Sequence, residues 1–318
     1  MPSFFGKHLP LSLWNSKTLH LPVQLTTVHK KFLEDKGWWA SYGPASAGGI
    51  GGASADEAKE HVINRFLNSA ARMQFVCSDP HDEEIEVREM VLDQLAEGHI
   101  YLLDLAAGNG SGTLALLSLI CELRSHGLVP NFPLNISISG VDYSPDALSH
   151  YAELLEQLSP WLATMGLEID LTLHVCDLNI SGDFSEVLES FLQDANGQSI
   201  NRFLCVVSAL SGAKKEGVAQ MLDSLKLAAA ALSNKKRNSS WLWVEPHVGK
   251  TWITKAIDTI RLTLQRVAHK FFSKGEGFDI VTAVPMLKDK PPRTFEWLDP
   301  HNGNAAKSHV FVTAFKND

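Results

Sequence analysis

The sequence predicts an α/β protein with a doubly wound, mostly parallel seven-stranded sheet that ends in an antiparallel pair, preceded by a helical N-terminal extension. Two observations predict it. From residue 99 onward, short apolar runs alternate with longer amphipathic segments, and a glycine-rich turn follows directly on the first of those runs.

The apolar runs lie at 99–105, 136–142, 169–175, 202–208 and 241–245, and the amphipathic segments near 112–126, 145–165, 183–194, 214–233 and 250–272. Strand and helix at this spacing make βαβ units with helices on both faces of the sheet. Two further strand-like runs, 278–287 and 309–315, form the terminal antiparallel pair. The polar, Pro-containing stretch between them is read as an excursion.

Residues 1–95 differ in character. An irregular, Pro-containing start leads to Trp38, Trp39 and Tyr42 and then to the stretch GPASAGGIGGAS. So many glycines favour a mobile connection, or a loop that closes on a ligand and carries the aromatics with it. Apolar residues recur every three or four positions over 56–75 (Val62, Phe66, Ala70, Met73) and over 83–95 (Ile85, Met90, Val91, Leu95), with Asp79-Pro80 as the break between two helices. The domain expectation is therefore a mainly helical extension or lid over 1–95 and a ligand-binding α/β domain over 96–318.

The segment YLLDLAAGNGSGT, residues 101–113, carries the chemistry. A buried strand reaches Asp104, a turn holds Gly108 and Gly110, and a helix begins at once. Glycine lets a ligand approach the backbone closely, and the helix start directs free N–H groups at the turn. Asp142 ends the second strand, where open α/β sheets bind ligands, and a carboxylate there can accept both hydrogen bonds of a ribose diol. Ser144, just before Pro145, reads as the cap of the helix that follows. Asp177 stands just past the third strand.

The segment D-L-A-A-G-N-G resembles the first motif of the class I S-adenosylmethionine-dependent methyltransferases, an acid followed by D-x-G-x-G-x-G-like spacing. Ala106 replaces the first glycine of that pattern. A nicotinamide-type GxGxxG would need glycine at 113, which is Thr113. The resemblance implies S-adenosyl-L-methionine as cofactor, held at Asp104, Ala106, Gly108, Gly110, Asp142, Asp177 and Ser208. It assigns Asp142 to the ribose hydroxyls and Asp177 to the exocyclic amine of adenine. It also implies an acceptor side beyond the fourth and fifth strands. There Ser208, Glu245 and His247 are the candidate catalytic groups, His247 because imidazole can take a proton near neutral pH.

The fourth strand ends VVSALSG, without the Asp/Asn-Pro-Pro-aromatic motif of base-amine methyltransferases, and Cys205 lies within that strand as core. The four cysteines form no CxxC pair, no metal site is expected, and a reducing, cytoplasmic setting follows. A net charge of -8 offers no general attraction for a polyanion and favours a small-molecule or protein acceptor over nucleic acid. The Lys235–Arg237 run and the basic N-terminal arm are the features that favour the alternative of an RNA methyltransferase or ribosome-associated factor. A cofactor-binding protein without catalysis is the further alternative. No stretch approaches the roughly 20 apolar residues of a membrane span, and oligomeric state is not indicated.

Overall fold

The computed structural model describes residues 8–43, 54–195, 202–210, 215–232, 238–246, 259, 262 and 293–317. The order of elements is β1 (Trp14–Asn15), β2 (Thr18–Leu19), α1 (Val23–Asp35), α2 (Ala55–Asn64), α3 (Phe66–Ser78), α4 (Ile85–Gln94), β3 (Gly98–Leu105), α5 (Ser111–Ser125), β4 (Leu134–Asp142), α6 (Pro145–Thr164), β5 (Leu167–Val175), α7 (Ser181–Ala195), β6 (Arg202–Ser208), α8 (Lys215–Leu232), β7 (Asn238–Glu245), β8 (Arg293–Leu298) and β9 (Ala305–Asn317).

One sheet runs in the order β1-β2-β8-β9-β7-β6-β3-β4-β5. The run β5-β4-β3-β6-β7 is parallel, and β9 is antiparallel to both β7 and β8. The expected α/β architecture and antiparallel pair are present, with three corrections. Among the described residues the sheet holds nine strands, two of them unexpected, because the irregular start of the chain folds a short hairpin, β1–β2, whose second strand pairs with β8. The same start also holds α1. The polar stretch read as an excursion contains β8, whose pattern RTFEWL alternates inward Phe295 and Trp297 with outward polar residues. The run 278–287 lies outside the described residues, as does all of 250–272 except Thr259 and Leu262.

Period-2 alternation along the strands builds two cores. Ile100, Leu102, Ile136, Ile138, Leu204, Val206, Leu242 and Val244 face α1 to α6. Tyr101, Leu103, Leu105, Phe203, Cys205, Val207, Trp241 and Trp243 face α7 and α8. The double winding thus follows from strands that are apolar on both sides. All four cysteines are buried thiols.

The N-terminal helices share the first of these cores with the sheet. The helix expected over 56–75 is two: Arg65, at φ -125° and ψ -19°, interrupts it. The aromatics before the glycine stretch are packed. Trp39 stacks on Tyr42, and both meet His301 edge-on, while Trp38 meets Phe32 and His150. Tyr42 also donates to Asp299 at 2.8 Å. Trp38 thus lies against α1 and α6, and Trp39 and Tyr42 against the β8–β9 turn; residues 44–53 of the glycine stretch lie outside the described residues.

Candidate functional site

The chain reverses its direction of travel across the sheet at β3: β4 and β5 extend to one side, β6 and β7 to the other. Such a switch point opens a crevice at the carboxyl ends of the strands. Asp104, the turn 106–110, Asp142, Asp177, Ser208 and Glu245 all lie along this edge.

The turn after β3 is built by hydrogen bonds from Ala107 N to Val141 O (3.0 Å) and from Gly110 N to Ala107 O (2.9 Å). Ala106, Gly108 and Gly110 all have positive φ, at 53°, 54° and 72°. The two glycines serve different ends. A Cβ on Gly110 would stand 2.2 Å from Cδ2 of the fully buried Tyr151, whereas one on Gly108 would meet nothing within 4 Å. Gly110 is required by packing; Gly108 borders open space. Ala106 holds a left-handed conformation that costs an L residue about 1–2 kcal/mol. Ala106→Gly should raise stability by roughly 0.5–1 kcal/mol in urea unfolding, after the entropy cost of glycine. An unchanged or lower midpoint would show that the turn is unstrained there.

Asp104 is buried and accepts from Thr113 Oγ1 at 2.6 Å. Burial pushes its carboxyl up to about 7, the Thr113 and Tyr151 hydroxyls oppose the rise, and the charge of Asp142 adds to it. Asp142 accepts from Gly108 N through Oδ2 and from Ser144 N through Oδ1, both at 2.9 Å. Burial raises its pKa, and the N–H groups of Ser144, Gly108 and Tyr143 lower it. Each oxygen keeps lone-pair capacity for a ligand hydroxyl. Ser144 caps α6 by accepting from Ala147 N at 3.2 Å, with Pro145 at the first helical position. Asp177 turns its own loop by accepting from Asn179 N at 2.9 Å. Tyr143, 40% exposed, lies within the fields of Asp142, Glu57 and Asp177, so the second and third acids and α2 border one space.

On the other side of the switch point, Ser208 packs on the first turn of α5. A Cβ on Gly112 would stand 2.9 Å from its Oγ and 3.2 Å from Met73 Cε. Glu245 is fully buried and accepts from Trp243 Nε1 at 2.7 Å. His247 lies outside the described residues, as do Lys235, Lys236 and Arg237.

Sequence reasoning missed the contribution of α2 and α3. His61 Nδ1 is 2.9 Å from Asn109 Nδ2, inside the glycine turn. Burial, then the charges of Arg65 and Arg72, lower His61 to about 4, so its imidazole is neutral at pH 7. Asn109 is 1% exposed, and its Oδ1 has no hydrogen-bond partner among the described residues. The available signal was the polar series Glu57, His61, Arg65, Asn68 and Arg72, spaced by three or four like the apolar row beside it.

Among the described residues no group of three or more His, Cys, Asp or Glu could hold a metal ion, and no helix is long and apolar enough to cross a membrane.

No family model and no curated protein matches this chain. Solved structures are similar at low identity. Precorrin-6y C5,15-methyltransferase from Geobacter metallireducens shares 13% identity over 73% of this chain and 89% of its own, with a TM-score of 0.33. The trans-methyltransferase CalH, in complex with S-adenosylhomocysteine, shares 10% over 97% and 95%, with a TM-score of 0.30. The plantazolicin methyltransferase BpumL, also with S-adenosylhomocysteine, shares 12% over 83% and 98%, with a TM-score of 0.26. Strand order and the glycine turn at the switch point make this a Rossmann-like α/β protein.

Proposed function

We propose that the chain is an S-adenosylmethionine-dependent methyltransferase acting on a small molecule or a protein side chain. The observation that carries this reading is the Asp142 carboxylate, fastened by Gly108 N and Ser144 N beside the open space over Gly108. A ribose diol fits that carboxylate, and the resemblance of residues 104–110 to the methyltransferase motif supports a methyl donor over other nucleosides.

The donor, when bound, supplies an activated methyl group, so the protein's work is alignment and exclusion of water. Asp142 would hold the ribose and Asp177 the adenine amine. The turn at Ala106, Gly108 and Gly110, tied to Asp104 through Thr113, would shape the remainder of the cofactor site, with Ser208 facing the transferring end. Residues 1–95 would form the wall above the crevice, a role supported by the His61–Asn109 contact. His247 stays the candidate proton acceptor, because an imidazole lowered to about 4, as at His61, is a weak base at neutral pH. Glu245, enclosed under Trp243, suits balancing the Arg72 charge better than taking a proton.

Calorimetry with S-adenosylhomocysteine tests the reading. Asp142→Ala should weaken binding by about 1.5–3 kcal/mol, more than tenfold, while the melting curve stays cooperative. Affinity within about twofold of wild type would refute the ribose assignment, and no binding by the wild-type chain would refute the class.

A further inference from the structure

Above β6, β7 and β9, on the side of the crevice away from Asp142, α3 presents a polar face rather than a sealed apolar one. Asn68 Oδ1 accepts from Ser308 Oγ at 2.8 Å, and Arg72 Nε donates to His309 O at 3.2 Å, which sets this face against the start of β9. Met73, the next residue, reaches the Gly112–Ser208 contact, so Arg72 stands next to the transferring end of the crevice. Eleven residues earlier in the chain, on α2, His61 touches Asn109 of the glycine turn. The row from His61 through Arg65 and Asn68 to Arg72 therefore spans the cofactor loop and the acceptor side.

Its charge is unusual for a half-buried place. Arg72 feels one carboxylate, Glu245, and a second guanidinium, Arg65. Burial lowers its pKa to about 10, so it keeps its charge at neutral pH. Its Nε is spent on His309 O, and its two Nη groups make no hydrogen bond to the described residues. Glu245 offsets one of these two positive charges, and a bound anion would offset the other. A guanidinium fork also matches a planar carboxylate or a phosphate in shape.

We infer that this chamber binds the methyl acceptor through an anionic group, carboxylate or phosphate, held by Arg72 with Arg65 beside it. This rests on the methyltransferase reading for the word acceptor, though not for the anion site itself. The cofactor's own carboxylate is the competing occupant. Strand spacing argues against it: β4, which carries Asp142, and β7, which carries Glu245, are three strand intervals apart, about 14 Å. A net charge of -8 discourages long polyanions, so a small anionic acceptor fits both the local and the global field.

The experiment saturates the full chain with S-adenosylhomocysteine and titrates inorganic phosphate and, separately, acetate by calorimetry. At least one should bind at a single site, and which one binds distinguishes phosphate from carboxylate. Arg72→Gln should weaken that anion by about tenfold or more, and Arg72→Lys, which keeps the charge but not the fork, by less. Both variants should bind S-adenosylhomocysteine within threefold of wild type. Absence of anion binding, or anion affinity equal in wild type and Arg72→Gln, would overturn the inference. So would a loss of S-adenosylhomocysteine affinity as large as the loss for the anion, which would give Arg72 to the cofactor. If the wild-type chain ignores S-adenosylhomocysteine, the class reading fails, while the same titrations on the unliganded chain still read the anion site.

Discussion

Asp79→Ala should destabilise the protein by roughly 3–5 kcal/mol, the cost of leaving a buried charge without its partner. Asp79 is fully buried at the corner between α3 and α4. Its Oδ1 accepts from Arg293 Nη2 at 3.1 Å, and Arg88 Nη1 lies 3.9 Å from Oδ2. The same two oxygens accept from Glu83 N at 3.1 Å and Glu84 N at 2.8 Å, just where α4 begins. Arg88 retains Asp82 at 2.6 Å when Asp79 is lost, and Arg293 at the start of β8 loses its buried partner and keeps only the exposed Glu83 at 2.9 Å. The change therefore unties the N-terminal helices from the end of the sheet as well as removing two backbone acceptors. Asp79→Asn keeps an acceptor without the charge and should fall between Ala and wild type. Urea unfolding measures both, and a loss below 1 kcal/mol for Asp79→Ala would show that the network adds little net stability.

Gly110→Ala and Gly108→Ala should part company, although the two glycines are two residues apart in one turn. At Gly110 a methyl group would overlap the buried Tyr151 ring at 2.2 to 2.5 Å, and the φ of 72° disfavours any side chain. Overpacking and left-handed strain together should cost roughly 2–5 kcal/mol, enough to unfold a marginal domain. At Gly108 only the left-handed strain applies, about 1–2 kcal/mol, and the methyl group enters the open space. Gly108→Ala should remain folded yet bind S-adenosylhomocysteine at least tenfold more weakly. Thermal unfolding and calorimetry on both variants decide it. Equal melting temperatures, or full affinity in Gly108→Ala, would contradict the division of labour between the two positions.

The parallel sheet was legible because its signals are local. Runs such as 99–105 and 202–208 are apolar on both faces, and Ser144-Pro145 marks a helix start by chemistry that needs no distant partner. The line of acids at Asp104, Asp142 and Asp177 was legible for the same reason, since each ends or follows such a run. The strand Arg293–Leu298 was not, because its alternation of Phe295 and Trp297 with charged residues sits beside two prolines and becomes a strand through pairing with β9. Nor was the break at Arg65 evident, since the apolar spacing of Val62 and Phe66 continues across it.

By itself the sequence determined the class of fold, the glycine turn after the first parallel strand and the acids at the strand ends, because strand periodicity, capping and glycine turns act over a few residues. Tertiary structure alone decided which glycine serves packing and which borders open space, since that depends on Tyr151, 41 positions beyond Gly110 in the chain and 2.2 Å from its Cβ direction. It also decided that His61 meets Asn109 of the glycine turn and that Trp38, Trp39 and Tyr42 pack on Phe32, His150 and His301. Burial, charge balance and approach between distant segments are properties of the folded whole, and no window of sequence contains them.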